Sequence, residues 1–236
     1  MSDFYSSIVK YYEEIFRPSN AQINFLYESA KGIKVLDIAC GTGKVAENLN
    51  KRGKEVLGID LEAEMIDIAK NQNGVDAIVM NMLDVSEIDG HFDLVYCIGN
   101  SLPHLSDLNE IEYFISEVKK KITNGYLVLQ WINFVPFLKQ EEEYLGSLPD
   151  IKTDKLTFER RYYREGEKIR FNTLLYVDGN RLENDEILYP LLIEDMLNIL
   201  NKNGFKDIEV FGGFDKSEFD IETSIPVVVR AKYERD

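Results

Sequence analysis

Short apolar runs and amphipathic stretches alternate through the first 135 residues. Residues 35–39, 55–59, 77–80, 92–98 and 126–131 are nearly continuous hydrophobic segments, the pattern of strands buried on both faces of a parallel sheet. Between them, polar and apolar positions recur with helical spacing over 20–30, 42–52, 62–70 and 107–122. Gly53, Asn73-Gly74 and Asn124-Gly125 stop three of these helices, and Ser106 is placed to cap the last one. At the start of the chain Phe4, Ile8, Tyr11, Tyr12, Ile15 and Phe16 fall on one stripe and predict an amphipathic helix over 3–16. Strand–helix alternation of this kind predicts a doubly wound α/β fold.

After Phe137 the period changes from 3.6 to two. Leu156, Phe158, Arg160 and Tyr162 alternate with Thr157, Glu159, Arg161 and Tyr163. Turn signals at Glu165-Gly166 and Asp178-Gly179-Asn180 divide this stretch into three strands. An antiparallel cap over about 141–190 is therefore expected as an insertion after the fifth strand. The first pattern then resumes with a helix over 193–202 and two closing strands over 206–211 and 225–233. The expected whole is one domain over 1–236, with a seven-stranded, mostly parallel sheet and a small antiparallel β cap.

Charge narrows the possible partners. The 236 residues carry 42 acids against 27 bases, a net charge of -15. Such a surface repels polyphosphates, so nucleic acid and anionic membranes are not expected partners. No run approaches the ~20 apolar residues that span a bilayer. Met1-Ser2-Asp3-Phe4-Tyr5 lacks the basic and apolar regions of a secretory signal, and the two cysteines, Cys40 and Cys97, fall on different strands. A reduced, cytoplasmic protein is the expectation. No Cys, His and acid cluster has metal-ligand spacing, so no metal is expected.

Candidate chemistry begins at the first strand. Val35-Leu36-Asp37-Ile38-Ala39-Cys40-Gly41-Thr42-Gly43-Lys44 reads as strand, glycine turn and helix start, which brings backbone N–H groups close to a ligand. The second strand ends in Asp60, where a carboxylate suits the two donors of a ribose diol. A nucleoside cofactor follows, and Asp37 chooses its kind. A pyrophosphate laid over this turn would be repelled by a buried carboxylate, whereas an ammonium and a sulfonium would be attracted. Val45 stands where a phosphate-binding loop needs Ser or Thr. Gly41, Gly43 and Ala46 also make a bare G-x-G-x-x-A, which is weak evidence alone.

Asp37-Ile38-Ala39-Cys40-Gly41-Thr42-Gly43 resembles the first motif of the class I S-adenosylmethionine-dependent methyltransferases, D-x-A/G-C-G-T-G, at every position. The resemblance implies a Rossmann-like fold with S-adenosyl-L-methionine held by Asp37, Ala39, Cys40, Gly41, Gly43, Asp60, Leu61, Met65, Asn81, Met82 and Ile98. Asn81 departs from the Asp common at its position, and Asp84 is a nearby substitute. Tyr12-Glu13-Glu14-Ile15-Phe16 is similar to a Y-D/E-x-x-F segment that lies over the cofactor in this family. It implies that helices within 1–30 act as a lid, with Tyr12 and Arg17 as cofactor contacts. Arg17 reads equally well as a cation complementing a helix end.

Cys97-Ile98-Gly99-Asn100-Ser101-Leu102-Pro103-His104-Leu105 resembles the glycine N-methyltransferase branch, C-x-G-N-S-x-x-H-L, and lacks the N/D-P-P-Y/F of amide methyltransferases. Asn100 would then face the methyl acceptor. His104 reads either as a general base or as a histidine held at a helix start; His91 carries no expected role. Arg160, Arg161, Arg164 and Arg170 crowd the cap of an acidic protein. Most should pair with Glu159, Glu165 and Glu167, while one inward arginine could hold an acceptor carboxylate. Tyr162, Tyr163 and Tyr176 either line such a cavity or fill the cap's core. The expected activity is methyl transfer to an amine or hydroxyl of a small polar metabolite, such as an amino acid or amino sugar. The alternatives are a nicotinamide-dependent oxidoreductase, which Asp37 opposes, and a non-catalytic adenosylmethionine-binding regulatory subunit, which Asn100 and His104 disfavour. Oligomeric state is not legible.

Overall fold

A computed structural model describes residues 8–71 and 73–235. The main sheet holds β1 (Lys34–Ile38), β2 (Glu55–Asp60), β3 (Asp76–Val79), β4 (Phe92–Cys97), β5 (Ile122–Ile132), β10 (Lys206–Phe211) and β11 (Pro226–Glu234). A second sheet, β6 (Tyr144–Lys152), β7 (Leu156–Glu165), β8 (Lys168–Val177) and β9 (Asn180–Leu188), is inserted between them. Strand order in the main sheet is β10-β11-β5-β4-β1-β2-β3, with β1 to β5 parallel and β11 antiparallel to both β5 and β10. Order reverses between β1 and β4, so their carboxyl ends open the crevice where open α/β sheets bind ligands.

Apolar runs explain the layering. Leu36, Ile38, Val95, Cys97, Leu127 and Leu129 face one buried layer, and Val35, Leu94, Tyr96 and Val128 face the other. The first layer is closed by α5 (Leu108–Val118) and α7 (Ile193–Lys202); the second by α2 (Asn20–Ser29), α3 (Lys44–Asn50) and α4 (Ala63–Asn71).

Several local expectations are corrected. The cap has four strands, because β6 precedes the three read from the period-two pattern. Pro149 and two register shifts against β7 interrupt its alternation, which hides it in the sequence. The N-cap of α5 is Asp107, whose carboxylate accepts from the N–H groups of Asn109 and Glu110, while the Ser106 N–H donates to the Glu110 side chain. Helix α5 ends at Val118, and Asn124-Gly125 lies inside β5. Glycine is needed there for close approach, since a Cβ on Gly125 would stand 2.4 Å from the Asp93 carbonyl oxygen.

The described part of the stripe expected over 3–16, residues 8–16, is not one continuous α-helix. Phe4 lies outside the described residues, and the remainder is a 3-10 turn (Val9–Tyr11) followed by α1 (Tyr12–Ile15). Pro18 disfavours helical geometry at Arg17 and ends the segment. Its apolar residues Ile8 and Ile15 pack on Leu156, Phe158, Leu175 and Val177 of the cap.

Candidate active site

Three left-handed residues shape the turn after β1: Ala39 (φ 60°), Gly41 (φ 54°) and Gly43 (φ 73°). The Gly41 N–H donates to Asp60 Oδ2 at 2.8 Å, and the Glu62 N–H donates to Asp60 Oδ1 at 2.9 Å. Asp60 therefore braces the glycine turn against the end of β2. A Cβ on Gly41 would stand 2.9 Å from the Tyr12 hydroxyl, so α1 lies directly on the turn. Gly58 is equally constrained, since a Cβ there would meet the Cys40 sulfur at 2.8 Å.

Behind the turn Asp37 is 2% exposed and forms no ion pair among the described residues. Burial pushes its carboxyl up to about 8. The Tyr96 hydroxyl beside it lowers that value, although it makes no hydrogen bond of full geometry, and Asp60 raises it further. With no cation paired to it among the described residues, the ionised form of this carboxyl would be favoured by a positively charged group brought beside it.

These elements surround a cavity of about 280 Å3 at the carboxyl ends of β1, β2 and β4. Tyr12, Ala39, Gly41, Asp60, Leu61, Met65, Asn81, Met82 and His104 all line it. Asp37, Cys40, Gly43 and Ile98 do not; Asp37 and Ile98 are buried and Cys40 and Gly43 belong to the turn itself. Arg17 is exposed and outside the lining, as is Asp84. Asn81 caps its own turn, accepting from the Leu83 N–H at 3.0 Å.

The fourth strand's end departs from expectation at Asn100. Its backbone is left-handed (φ 67°), and its side-chain oxygen accepts from the Ile132 N–H at 2.9 Å. That bond ties the ends of β4 and β5 together and keeps Asn100 off the cavity wall, where its neighbours Gly99 and Ser101 stand. His104 is on the wall, and burial holds its pKa below the ordinary histidine value while Glu186 pulls in the opposite direction.

Sequence reasoning missed the latch that fixes α1. Asn73 donates to Glu13 Oε1 (2.8 Å) and to the Thr42 carbonyl (2.7 Å), while Lys44 Nζ donates to Asn73 Oδ1 (2.9 Å) and pairs with Glu13 at 3.3 Å. On its other side Glu14 accepts from the Thr153 hydroxyl at 2.6 Å, and the Tyr11 hydroxyl donates to Asp178 at 2.9 Å. These partners are distant in sequence and leave no local signal. Glu62, Leu105 and Glu110 also stand on the cavity wall and were not among the expected site residues.

Residues 35–125 match a family model described as a methyltransferase domain. Over the full length, the structure is similar to that of an S-adenosylmethionine-dependent methyltransferase from Clostridium acetobutylicum, with a TM-score of 0.81, 17% identity and coverage of 98% of this chain and 99% of that one. The chain has the methyltransferase fold. CalS10 from Micromonospora echinaspora, an amino pentose methyltransferase solved with S-adenosylmethionine bound, superposes with a TM-score of 0.65 at 18% identity, covering 98% of this chain and 90% of its own. Among curated sequences, the ribosomal protein L11 methyltransferase of Thermotoga neapolitana is 36% identical over 101 residues, which is 40% of this chain and 38% of that protein. That match thus spans about two-fifths of each chain, and the family model's match ends at residue 125, before the cap. Among the described residues, no helix is long and apolar enough to cross a membrane and no acid, His and Cys group is arranged to hold a metal.

Proposed function

We propose that this protein transfers a methyl group from S-adenosyl-L-methionine to an amine of a small polar molecule. The observation that carries the reading is Asp37, a carboxyl buried without a cation directly behind a glycine turn that opens on the cavity. When bound, the cofactor supplies an electrophilic methyl group on a positively charged sulfur. Asp37 and the turn Ala39–Gly43 would hold its charged end, Asp60 the ribose, and Leu61, Met65, Asn81 and Met82 the adenine. Tyr12, seated on Gly41, closes the site from above. Because α1 is latched to Asn73 and Lys44 on one side and to the cap on the other, it serves as a lid that excludes water.

An amine acceptor is favoured by the Cys97–Leu105 likeness to the glycine N-methyltransferase branch and by the amino pentose acceptor of CalS10. His104, kept neutral by burial, is placed to take the proton that the acceptor nitrogen loses. Asn100 acts as a positioning residue, holding the β4 turn against β5 so that Ser101 and His104 face the cavity.

Formation of S-adenosylhomocysteine in the presence of an amine panel tests the reading. Turnover should rise with pH as the acceptor amine loses its proton. His104→Ala should lower kcat roughly 10²–10⁴-fold with little change in cofactor binding. Cofactor binding without turnover of any amine would return the chain to a non-catalytic binding role.

A further inference from the structure

One buried titratable group takes no part in the chemistry above. Tyr96 on β4 stands opposite Asp37 on β1 in the parallel register, just as Leu94 stands opposite Val35 two residues earlier on the same face. The Tyr96 ring is fully buried in the apolar layer it forms with Val35, Leu94, Ile98 and Val128. Phenylalanine would fill that space equally well, so packing accounts for the ring and not for the hydroxyl. That hydroxyl is buried and has no hydrogen bond of full geometry among the described residues, which makes it a costly group to carry. What it meets is the Asp37 carboxyl, itself 2% exposed.

The other titratable groups near that carboxyl bring no positive charge. Asp60 acts on it from the end of β2, while Cys40 in the glycine turn and Cys97 on β4 lie close enough to feel its charge. Burial keeps both thiols, like the Tyr96 hydroxyl, in their neutral forms. Asp60 adds repulsion, so among these neighbours only the Tyr96 hydroxyl favours a charge on Asp37. A phenol suits the position, because it accepts from a carboxylic acid and donates to a carboxylate by turning only its own O–H bond. A lysine or arginine in its place would neutralise Asp37 permanently and compete with a cationic ligand.

We propose that Tyr96 is a positioning residue for S-adenosylmethionine that acts through Asp37: its hydroxyl donates to the Asp37 carboxylate and holds there the negative charge that the cofactor's cationic end requires. The proposal rests on the methyltransferase reading and deepens it. Without ligand the buried carboxyl keeps its proton up to about pH 8, and the hydroxyl accepts from it. With a cation beside the turn the Asp37 O–H bond breaks, the proton passes to solvent, and the hydroxyl reverses to donate. Cofactor binding is thereby tied to the release of a proton.

Calorimetry with S-adenosylhomocysteine, which retains the cofactor's ammonium, reads both parts of the proposal. For wild type at pH 7, the difference between binding heats in phosphate and in Tris should report close to one proton released per site, and a smaller fraction at pH 8.5. Equal heats in the two buffers at pH 7 would overturn the proposal. Tyr96→Phe keeps the ring and removes the hydroxyl. It should weaken S-adenosylhomocysteine roughly tenfold at pH 7. The deficit should shrink toward pH 8.5, where more of Asp37 is ionised before ligand arrives. Without ligand at pH 6, Tyr96→Phe should melt within a few degrees of wild type, since the hydroxyl adds little to a protonated neighbour. Unchanged affinity in folded Tyr96→Phe, or a deficit that is the same at pH 7 and pH 8.5, would make the hydroxyl merely structural and overturn its role. Should Tyr96→Phe not fold, the wild-type proton count carries the test: a count near one upholds the proposal and none overturns it. No binding of S-adenosylhomocysteine by the wild type would instead remove the methyltransferase reading.

Discussion

Asp37→Asn separates function from stability at one atom. The carboxyl is buried and pushed up to about 8, against an ordinary value of 3.8. Between those two values the folded protein keeps a proton that the unfolded chain has lost. Folded pKa above unfolded pKa for an acid means that stability falls as pH rises through the window and that the penalty is complete above about 8. At pH 7 about three units separate the solution from the ordinary value, or ~4 kcal/mol at ~1.4 kcal/mol per unit. Local relaxation reduces this, so a gain of about 2 kcal/mol on removing the charge is the working figure, equivalent to about 4–8 °C in Tm for a chain of this size. Thermal melts of the ligand-free protein should show Asp37→Asn more stable than wild type at pH 8 and converging with it near pH 4. The same variant should lose cofactor, because the ammonium and sulfonium no longer meet a carboxylate. In the wild type, affinity should rise with pH toward 8 as Asp37 ionises. An Asp37→Asn protein that is less stable at pH 8 and binds cofactor normally would refute the assignment of Asp37 as a counter-ion held at the expense of stability.

Other positions give sharper local tests. Ala39 sits at φ 60°, so Ala39→Gly should be tolerated within about 1 kcal/mol, whereas β-branched Ala39→Val should lose about 2 kcal/mol or more in a denaturant titration. Gly41→Ala places a methyl group against the Tyr12 hydroxyl and should weaken S-adenosylhomocysteine at least tenfold by calorimetry, with α1 displaced. Hydrogen exchange over 8–17 should slow when S-adenosylhomocysteine binds, and Glu13→Gln should blunt that protection by weakening the latch to Lys44 and Asn73. Equal protection with and without ligand would return α1 to ordinary packing.

The main sheet was legible because its strands are buried on both faces and its glycine turn is local: Asp37, Gly41, Gly43 and Asp60 fall within 24 residues and meet through one hydrogen bond. What the sequence hid was non-local. Glu13 reaches Asn73, Asn100 reaches Ile132, and Arg160 faces Thr173 only once the cap folds. Strand β6 escaped notice since Pro149 and its register shifts break the alternation on which strand reading depends. The cap's arginine crowding was visible, yet the partners came only with the fold: the Pro149 carbonyl for Arg160, Glu159 for Arg161, the Leu138 and Gln140 carbonyls for Arg164 and Asp185 for Arg170.

Calorimetry of Asp60→Ala is the most direct test of the central claim, that this cavity binds S-adenosylmethionine. Asp60 ends β2 at the cavity and braces the turn through Gly41. Wild-type protein should bind S-adenosylmethionine and S-adenosylhomocysteine and give no heat with NAD. Asp60→Ala should weaken both by ~1.5–3 kcal/mol, roughly ten- to a hundredfold. Unchanged affinity in a folded Asp60→Ala protein, or a wild type that prefers NAD, would contradict the account.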